Sequence, residues 1–305
     1  MLKKIESVLN EIKNGKRSNE STLADLSSKF YTYIPHNFGR QKMSNFIINS
    51  FPDLNKKLEL LQNLDDSKTA IKIQNDTNAK IDKQDDKQEK SNPLDENYKR
   101  LNTNINVIHE SEAVFKTVDE YVQNSSSGYR LKLLDCFEIE REGEKERFNP
   151  NKLDNKKLLF HGSRFSNFVG ILSTGLRIAP PEAPSHGYNF GKGIYLADQA
   201  GKSAPYCSPH SSNNTILMLL CETACGTPQV LYQPKYDAAS LPAGTHSTFC
   251  QGRLQPDPKG AKKIEDIELP MGKPTTLNDK YMGHNEYIVY SVAQVKIRYL
   301  VRLKV

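Results

Sequence analysis

The residues best suited to chemistry stand at the ends of short apolar runs. His161-Gly162-Ser163 directly follows Leu158, Leu159 and Phe160, so a histidine sits at the tip of a strand-like segment. The glycine after it has no side chain to keep a ligand off the backbone. Gly191-Lys192-Gly193-Ile194-Tyr195 and the Lys202, Ser203, Tyr206 group supply two aromatic rings, a cation and a hydroxyl. Glu286 opens the run Asn285-Glu286-Tyr287-Ile288-Val289-Tyr290. Aromatic faces attract cations, and a carboxylate can polarise an incoming nucleophile. Each residue also has a plainer use: a histidine satisfied inside the fold, a glutamate on the surface, tyrosines in the core. Cys207-x-x-His210 ahead of Cys221-x-x-x-Cys225 loosely fits a zinc module. Against that, Cys221 ends an apolar run and reads as a small buried hydrophobe, so no metal is assigned. No G-x-G-x-x-G follows a strand and no G-x-x-x-x-G-K-[ST] occurs, which excludes Rossmann and P-loop phosphate devices.

Short elements must position these groups. Leu131, Leu133, Phe137 and Ile139 recur at odd positions, Ile216 to Cys221 is continuously apolar, and Tyr287 to Tyr290 is β-branched and aromatic. Val295, Ile297, Tyr299, Val301, Leu303 and Val305 alternate with Lys296, Arg298, Arg302 and Lys304, predicting a strand with one buried and one wet face. Ser166 is expected to cap a helix carrying Phe168, Ile171 and Leu172, with Gly175 as its stop. Strands interleaved with a few helices imply a mainly antiparallel α+β domain of two sheets.

Ahead of Asn92 the pattern is helical. Leu2, Ile5, Val8, Leu9 and Ile12 form one apolar face, Asn14-Gly15 stops it, and Leu23, Leu26, Phe30 and Ile34 form another. Pro35 to Gly39 breaks the pattern, Met43, Phe46 and Ile47 resume it, and Pro52 opens a helix with Leu54, Leu58, Leu61 and Leu64. Residues 74–91 are nearly all Asn, Asp, Lys, Gln and Glu, and are expected to be a disordered polar linker between an all-α domain at 1–73 and the α+β domain at 92–305.

Composition narrows the class further. Hydrophobic residues make up 37% and charged residues 26%, low in apolar content for one compact globule, so part of the chain is expected to be solvated. A net charge of +6 favours polyanions without establishing one as a partner. The odd number of cysteines, five, and the absence of a secretory leader argue against a disulfide framework and for a reducing, intracellular compartment. No run reaches membrane-spanning length, so no membrane partner is expected.

His161-Gly162-Ser163, Gly191 to Tyr195 and Asn285 to Tyr290 resemble the histidine, tyrosine and glutamate motifs of the poly(ADP-ribose) polymerases. The resemblance extends to Ile139-Glu140-Arg141-Glu142-Gly143-Glu144 and to Gly175-Leu176-Arg177-Ile178-Ala179-Pro180-Pro181-Glu182-Ala183-Pro184, and covers nearly all of 92–305. Residues 1–70 are similar in part to the helical regulatory domain of the DNA-damage branch, shortened here because the match begins near that domain's middle helices. The resemblance implies an ADP-ribosyltransferase fold and a polymerase that uses NAD as substrate, with no permanently bound cofactor. It implies Glu286, His161 and Tyr195 as catalytic residues. It implies NAD binding by His161, Gly162, Ser163, Arg177, Tyr188, Tyr195, Lys202, Ser203 and Tyr206. Gly162 and Ser203 would hold the nicotinamide amide, Tyr195 and Tyr206 would sandwich its ring, and His161 would hold the adenine-side ribose. Protein acceptors including the enzyme itself, DNA and a nuclear location follow from the same likeness. The shortened helical domain implies substantial basal activity with little stimulation by DNA breaks. Ala243 to Pro258 is expected to be the donor-site loop. Pro205 and Gln62 depart from the family, which carries another residue before the tyrosine and an acid on the helix face.

Overall fold

The computed structural model describes residues 1–16, 20–81, 92–180, 182–184 and 188–305. Its contacts divide it into two units, residues 1–65 with 179–189 and residues 66–178 with 190–305.

In the first unit α1 (Leu2–Lys13) and α2 (Glu20–Tyr33) turn their apolar faces inward, as the spacing requires. Leu2, Ile5, Leu9, Leu23, Phe30, Ile48 and Leu54 form its core. Gly15 adopts φ +83, the left-handed turn that ends α1. Residues Met43–Phe46 make a 3-10 turn, where the apolar spacing suggested a resumed α-helix. That turn is held from α2, since the Tyr31 hydroxyl donates to the Phe46 carbonyl at 2.7 Å and Ser27 Oγ accepts from the Ile48 N–H at 2.9 Å.

Helix α3 runs from Phe51 to Ile81, so residues 74–81 are helix where a disordered linker was expected. Tertiary contact overrides weak propensity here: Arg100 donates to the Asp76 carbonyl at 3.0 Å, its guanidinium lies 3.8 Å from the Asp76 carboxylate, and Thr77 is buried. The rest of the expected linker, 82–91, lies outside the described residues.

The second unit continues with α4 (Pro93–Lys99), α5 (Ala113–Asn124), α6 (Glu144–Arg147), α7 (Phe168–Thr174) and α8 (Ala200–Ser203). Its strands are β1 (Thr103–Ile108), β2 (Lys132–Arg141), β3 (Lys156–Gly162), β4 (Ile194–Leu196), β5 (Thr215–Ala224), β6 (Pro228–Leu231), β7 (Ser247–Cys250), β8 (Gly252–Pro256), β9 (Lys262–Ile264), β10 (Ile267–Leu269), β11 (Pro274–Thr276), β12 (Met282–His284), β13 (Glu286–Val289) and β14 (Val295–Lys304). A seven-stranded sheet has the order β1-β2-β14-β5-β3-β10-β9, a four-stranded sheet β4-β13-β7-β6, and a small third sheet β11-β8-β12. Most pairs are antiparallel, and the β10–β3, β12–β8 and β6–β7 pairs are parallel. The stretch Ala243 to Pro258, expected as one loop, contains β7 and β8.

The large sheet is buried on both faces. One core gathers α5 residues Phe115, Val118 and Tyr121 against Leu158, Phe160, Met218 and Leu220. The other gathers α7 residues Phe168, Ile171 and Leu172 against Leu159, Leu219, Cys221, Tyr287 and Val289. The wet face expected of β14 is exposed at Arg302 and Lys304 and only partly so at Lys296 and Arg298, and the buried residues do not all share one side. Val295 and Ile297 point into the second core, whereas Tyr299, Val301 and Leu303 point into the first. The switch comes from a bulge at Arg298, which has no partner on β5 between the Ile297–Cys221 and Tyr299–Leu220 pairs. A second irregularity at Leu134 does the same on β2, sending Leu133 to the first core and Ile139 to the second.

Between α7 and the sheet lies a charged hub. Glu144 is 3% exposed, and its Oε1 accepts from Arg141 at 2.8 Å and from Arg147 at 3.1 Å. Its Oε2 accepts from the Ile297 N–H at 3.1 Å, beside the Arg298 bulge. Arg141 in turn caps α7, donating to the Leu172 and Ser173 carbonyls at 2.6 and 3.1 Å. Helix α7 starts after a 3-10 turn at Phe165–Asn167, so Ser166 lies in that turn and makes no cap, while Gly175 at φ +81 does end the helix.

Candidate active site

The tip of β3 is fixed by the segment that follows β4. Phe160 and Ala197 exchange two backbone hydrogen bonds of 2.7 and 3.0 Å. One residue on, His161 Nδ1 meets the Tyr195 carbonyl at 2.9 Å. A carbonyl only accepts, so the proton sits on Nδ1 and Nε2 remains the ring's acceptor in the neutral form. Burial lowers the His161 pKa against the opposing effect of that hydrogen bond, which favours the neutral ring. The Tyr195 hydroxyl donates to the Gly191 carbonyl at 2.7 Å and accepts from the Phe190 N–H at 3.0 Å. It thereby locks the Gly191 turn, whose φ of +74 suits glycine. Ser163 Oγ accepts from Asn167 at 3.1 Å, tying the histidine motif to the start of α7.

Gly162 owes its identity to close packing. A Cβ placed there would lie 2.1 Å from the Ser203 carbonyl oxygen and 3.1 Å from Cys207 Sγ. The last residue of β3 therefore rests directly on α8. The other side of α8 is equally tight, since a Cβ on Gly201 would lie 2.2 Å from the Ser127 carbonyl and Gly201 N–H donates to Ser125 at 2.9 Å. Gly162→Ala is expected to cost about 1–3 kcal/mol through this overpacking. A variant that keeps the parental urea midpoint would show that the contact is slack.

Glu286 begins β13, opposite Cys250 of β7, and is 9% exposed. Its carboxylate meets Lys202 Nζ of α8 at 2.6 Å, and the same ammonium donates to the Asn285 carbonyl at 3.3 Å. Burial lowers the Lys202 pKa, and the charges of Glu286 and Asp198 oppose that shift. Tyr206 follows in a 3-10 turn at Ala204–Cys207 and is 65% exposed, with its hydroxyl pushed up by desolvation first and by the Glu286 charge second. Pro205 fits there without strain, because the first turn of such a helix needs no N–H from it.

The predicted residues thus come together through α8: Gly162 abuts Ser203, Lys202 abuts Glu286, and His161 and Tyr195 join at the β3–β4 crossing. Arg177 is exposed just after Gly175. Tyr188 belongs to the first unit, where burial pushes its hydroxyl up. The cysteines of the rival zinc motif serve packing: Cys207 lies in the first core, Cys221 and Cys225 in the second, and burial pushes the thiols of Cys207 and Cys225 up to about 12. Sequence reasoning missed Asp198. It is fully buried, and its Oδ2 accepts from Asn285 Nδ2 at 2.7 Å and from the Tyr287 hydroxyl at 3.1 Å. The signal was a carboxylate closing the apolar word Ile194-Tyr195-Leu196-Ala197.

A model of the poly(ADP-ribose) polymerase catalytic domain matches residues 108–305, and a model of the poly(ADP-ribose) polymerase regulatory domain matches residues 1–98. The chain belongs to the poly(ADP-ribose) polymerase catalytic-domain family. It is 41% identical over 307 residues to poly [ADP-ribose] polymerase 1 of Gallus gallus, covering 98% of this chain and 29% of that protein. It is 39% identical over 312 residues to poly [ADP-ribose] polymerase 2 of Homo sapiens, covering 99% of this chain and 51% of that protein. A poly [ADP-ribose] polymerase of Drosophila melanogaster is 41% identical over 310 residues, covering 98% of this chain and 30% of the fly protein. The chain therefore spans between about a third and a half of the length of these relatives. Among the described residues no helix is long and apolar enough to cross a membrane.

Proposed function

We propose that this chain cleaves the nicotinamide–ribose bond of NAD and transfers and elongates ADP-ribose on protein acceptors, itself included, in a nuclear response to DNA damage. Residues 92–305 act as the transferase and the helices of 1–73 as its regulatory part. The observation that carries the reading is the Glu286 carboxylate held 2.6 Å from Lys202, on the same short helix whose Ser203 abuts Gly162. Bond cleavage passes through an oxocarbenium-like state and releases a neutral base, so no strong general acid is required. A carboxylate near the ribose hydroxyls gains strength as charge develops on the sugar.

In this reading the Gly162 backbone and the Ser203 hydroxyl hold the carboxamide, and Tyr195 and Tyr206 flank the pyridinium, whose charge their ring faces favour. His161, neutral, holds the adenine-side ribose, and Ser163, Arg177 and Tyr188 are further NAD-binding residues. Glu286 binds the ribose 2′-hydroxyl and polarises the acceptor, and NAD is a substrate with no resident cofactor. The test incubates pure protein with labelled NAD, with and without nicked duplex DNA. Label should enter protein as a ladder, where a single band would mean transfer of one unit. NAD and benzamide-type compounds should each raise the melting temperature, and absence of both shifts would sink the site assignment.

A further inference from the structure

The residues on either side of Glu286 are held by one buried carboxylate that the chemistry above does not use. Asp198 lies between β4 and α8, and its neighbour Ala197 is locked to Phe160, one residue before His161. Successive side chains of a strand face opposite ways. Glu286 projects to Lys202 while Asn285 and Tyr287 reach back, and both end on Asp198 Oδ2. Asn285 is gripped at its other end too, where its Oδ1 accepts from the Gly252 N–H at 2.9 Å. That approach requires glycine, because a Cβ at 252 would lie 2.0 Å from the His284 carbonyl carbon.

The arrangement is costly for a mere anchor. Asp198 Oδ1 has no protein partner, although the residue is fully buried. It borders a cavity of about 300 Å³ behind β13, lined also by Lys157, Glu268, Phe249 and Gln255. An isolated buried carboxylate is disfavoured relative to an apolar or amide filler. Burial pushes its carboxyl up to about 6, with the Asn285 and Tyr287 donors and the Lys202 charge opposing. Both side-chain hydrogen bonds that it accepts come from the immediate neighbours of Glu286.

We propose that Asp198 is a positioning residue for Glu286: by holding Asn285 and Tyr287 it sets the rotation of β13 that aims the Glu286 carboxylate at Lys202 and the ribose. The proposal rests on the reading of Glu286 as the transferase carboxylate. Displacing a reacting group by about 1 Å costs on the order of a hundredfold in rate, so a clamp on both flanks bears directly on turnover while leaving the nicotinamide slot alone.

The test measures initial rates over a range of NAD concentrations for the full chain and for Asp198→Ala, Asp198→Asn and Tyr287→Phe. Thermal shift by a benzamide-type compound is followed in parallel. Asp198→Ala is expected to lower kcat by about tenfold or more, with KM for NAD within about twofold and the compound shift retained. Asp198→Asn keeps an oxygen facing both donors and should recover kcat to within about threefold of the parent. Tyr287→Phe removes one of the two bonds and should lower kcat by roughly twofold to fivefold. If Asp198→Ala does not fold, the asparagine and phenylalanine variants carry the test. Unchanged kcat in Tyr287→Phe and in whichever Asp198 variants fold, an asparagine variant as poor as alanine, or KM rising in step with the fall in kcat would overturn the clamp. A parent chain that transfers no label would refute the assignment of Glu286 as well, and is read separately from the variants.

Discussion

Glu286→Gln should lower the rate of ADP-ribose chain elongation about a hundredfold, corresponding to roughly 3 kcal/mol of lost transition-state stabilisation. In the proposed reading the amide keeps the shape of the side chain but cannot serve the ribose 2′-hydroxyl and the acceptor as a carboxylate would. It also removes the ion pair with Lys202, whose pKa burial already lowers and which the Glu286 charge does most to hold up. The ammonium would then lose the largest charge that opposes its desolvation and shed its proton more readily. Binding of benzamide-type compounds should stay within a few-fold, because the Gly162–Ser203 contact does not involve the Glu286 side chain. Initial rates with labelled NAD and product length on a gel check both halves. Polymer of parental length made at the parental rate would remove the elongation role from this residue.

The second large effect concerns stability. Glu144→Ala is expected to cost about 3–5 kcal/mol, the range found when one partner of a buried ion pair is removed. The side chains of Arg141 and Glu144 are 7% and 2% exposed, so the guanidinium left behind has little access to water. The Ile297 N–H would lose its acceptor as well, next to the bulge that directs β14 to two cores. Urea unfolding followed by circular dichroism reads the loss as a lower midpoint for the sheet-bearing unit. A midpoint within the error of the parent would mean that water replaces the carboxylate without cost.

Much of this was legible from residue order. The histidine, tyrosine and glutamate words stand at strand tips as their flanking apolar runs require, and the helical faces of α1 and α2 follow from spacing alone. Other features depend on partners distant in sequence. Odd-numbered alternation in β14 and β2 suggested a single buried face. A bulge keeps the apolar count unchanged while moving residues from one side to the other, so periodicity could not register it. The polar turns of α3 after residue 74 looked unable to order themselves, and do so against Arg100. Asp198 was hidden for a related reason: nothing near it in sequence shows that Asn285 and Tyr287 will arrive to bond it. The requirement for glycine at 162 was visible as room for a ligand, but its packing against the Ser203 carbonyl, 41 residues on, was not.

The order of strands in the large sheet bears on how the protein is made. Strand β14 lies between β2 and β5 and contributes Tyr299, Val301 and Leu303 to one core and Val295 and Ile297 to the other, yet every other strand precedes it in sequence. During synthesis the ribosome delivers β2, β5 and β13 with a gap between β2 and β5 and with both cores open on that side. Chains stalled before Val295 would carry the histidine, tyrosine and glutamate motifs without the strand that closes the sheet around them. Unpaired edges and exposed apolar surface of this kind invite aggregation and chaperone binding. In the proposed reading of the site, the elements that carry these motifs would be held in place only once β14 has paired with β2 and β5 and closed both cores.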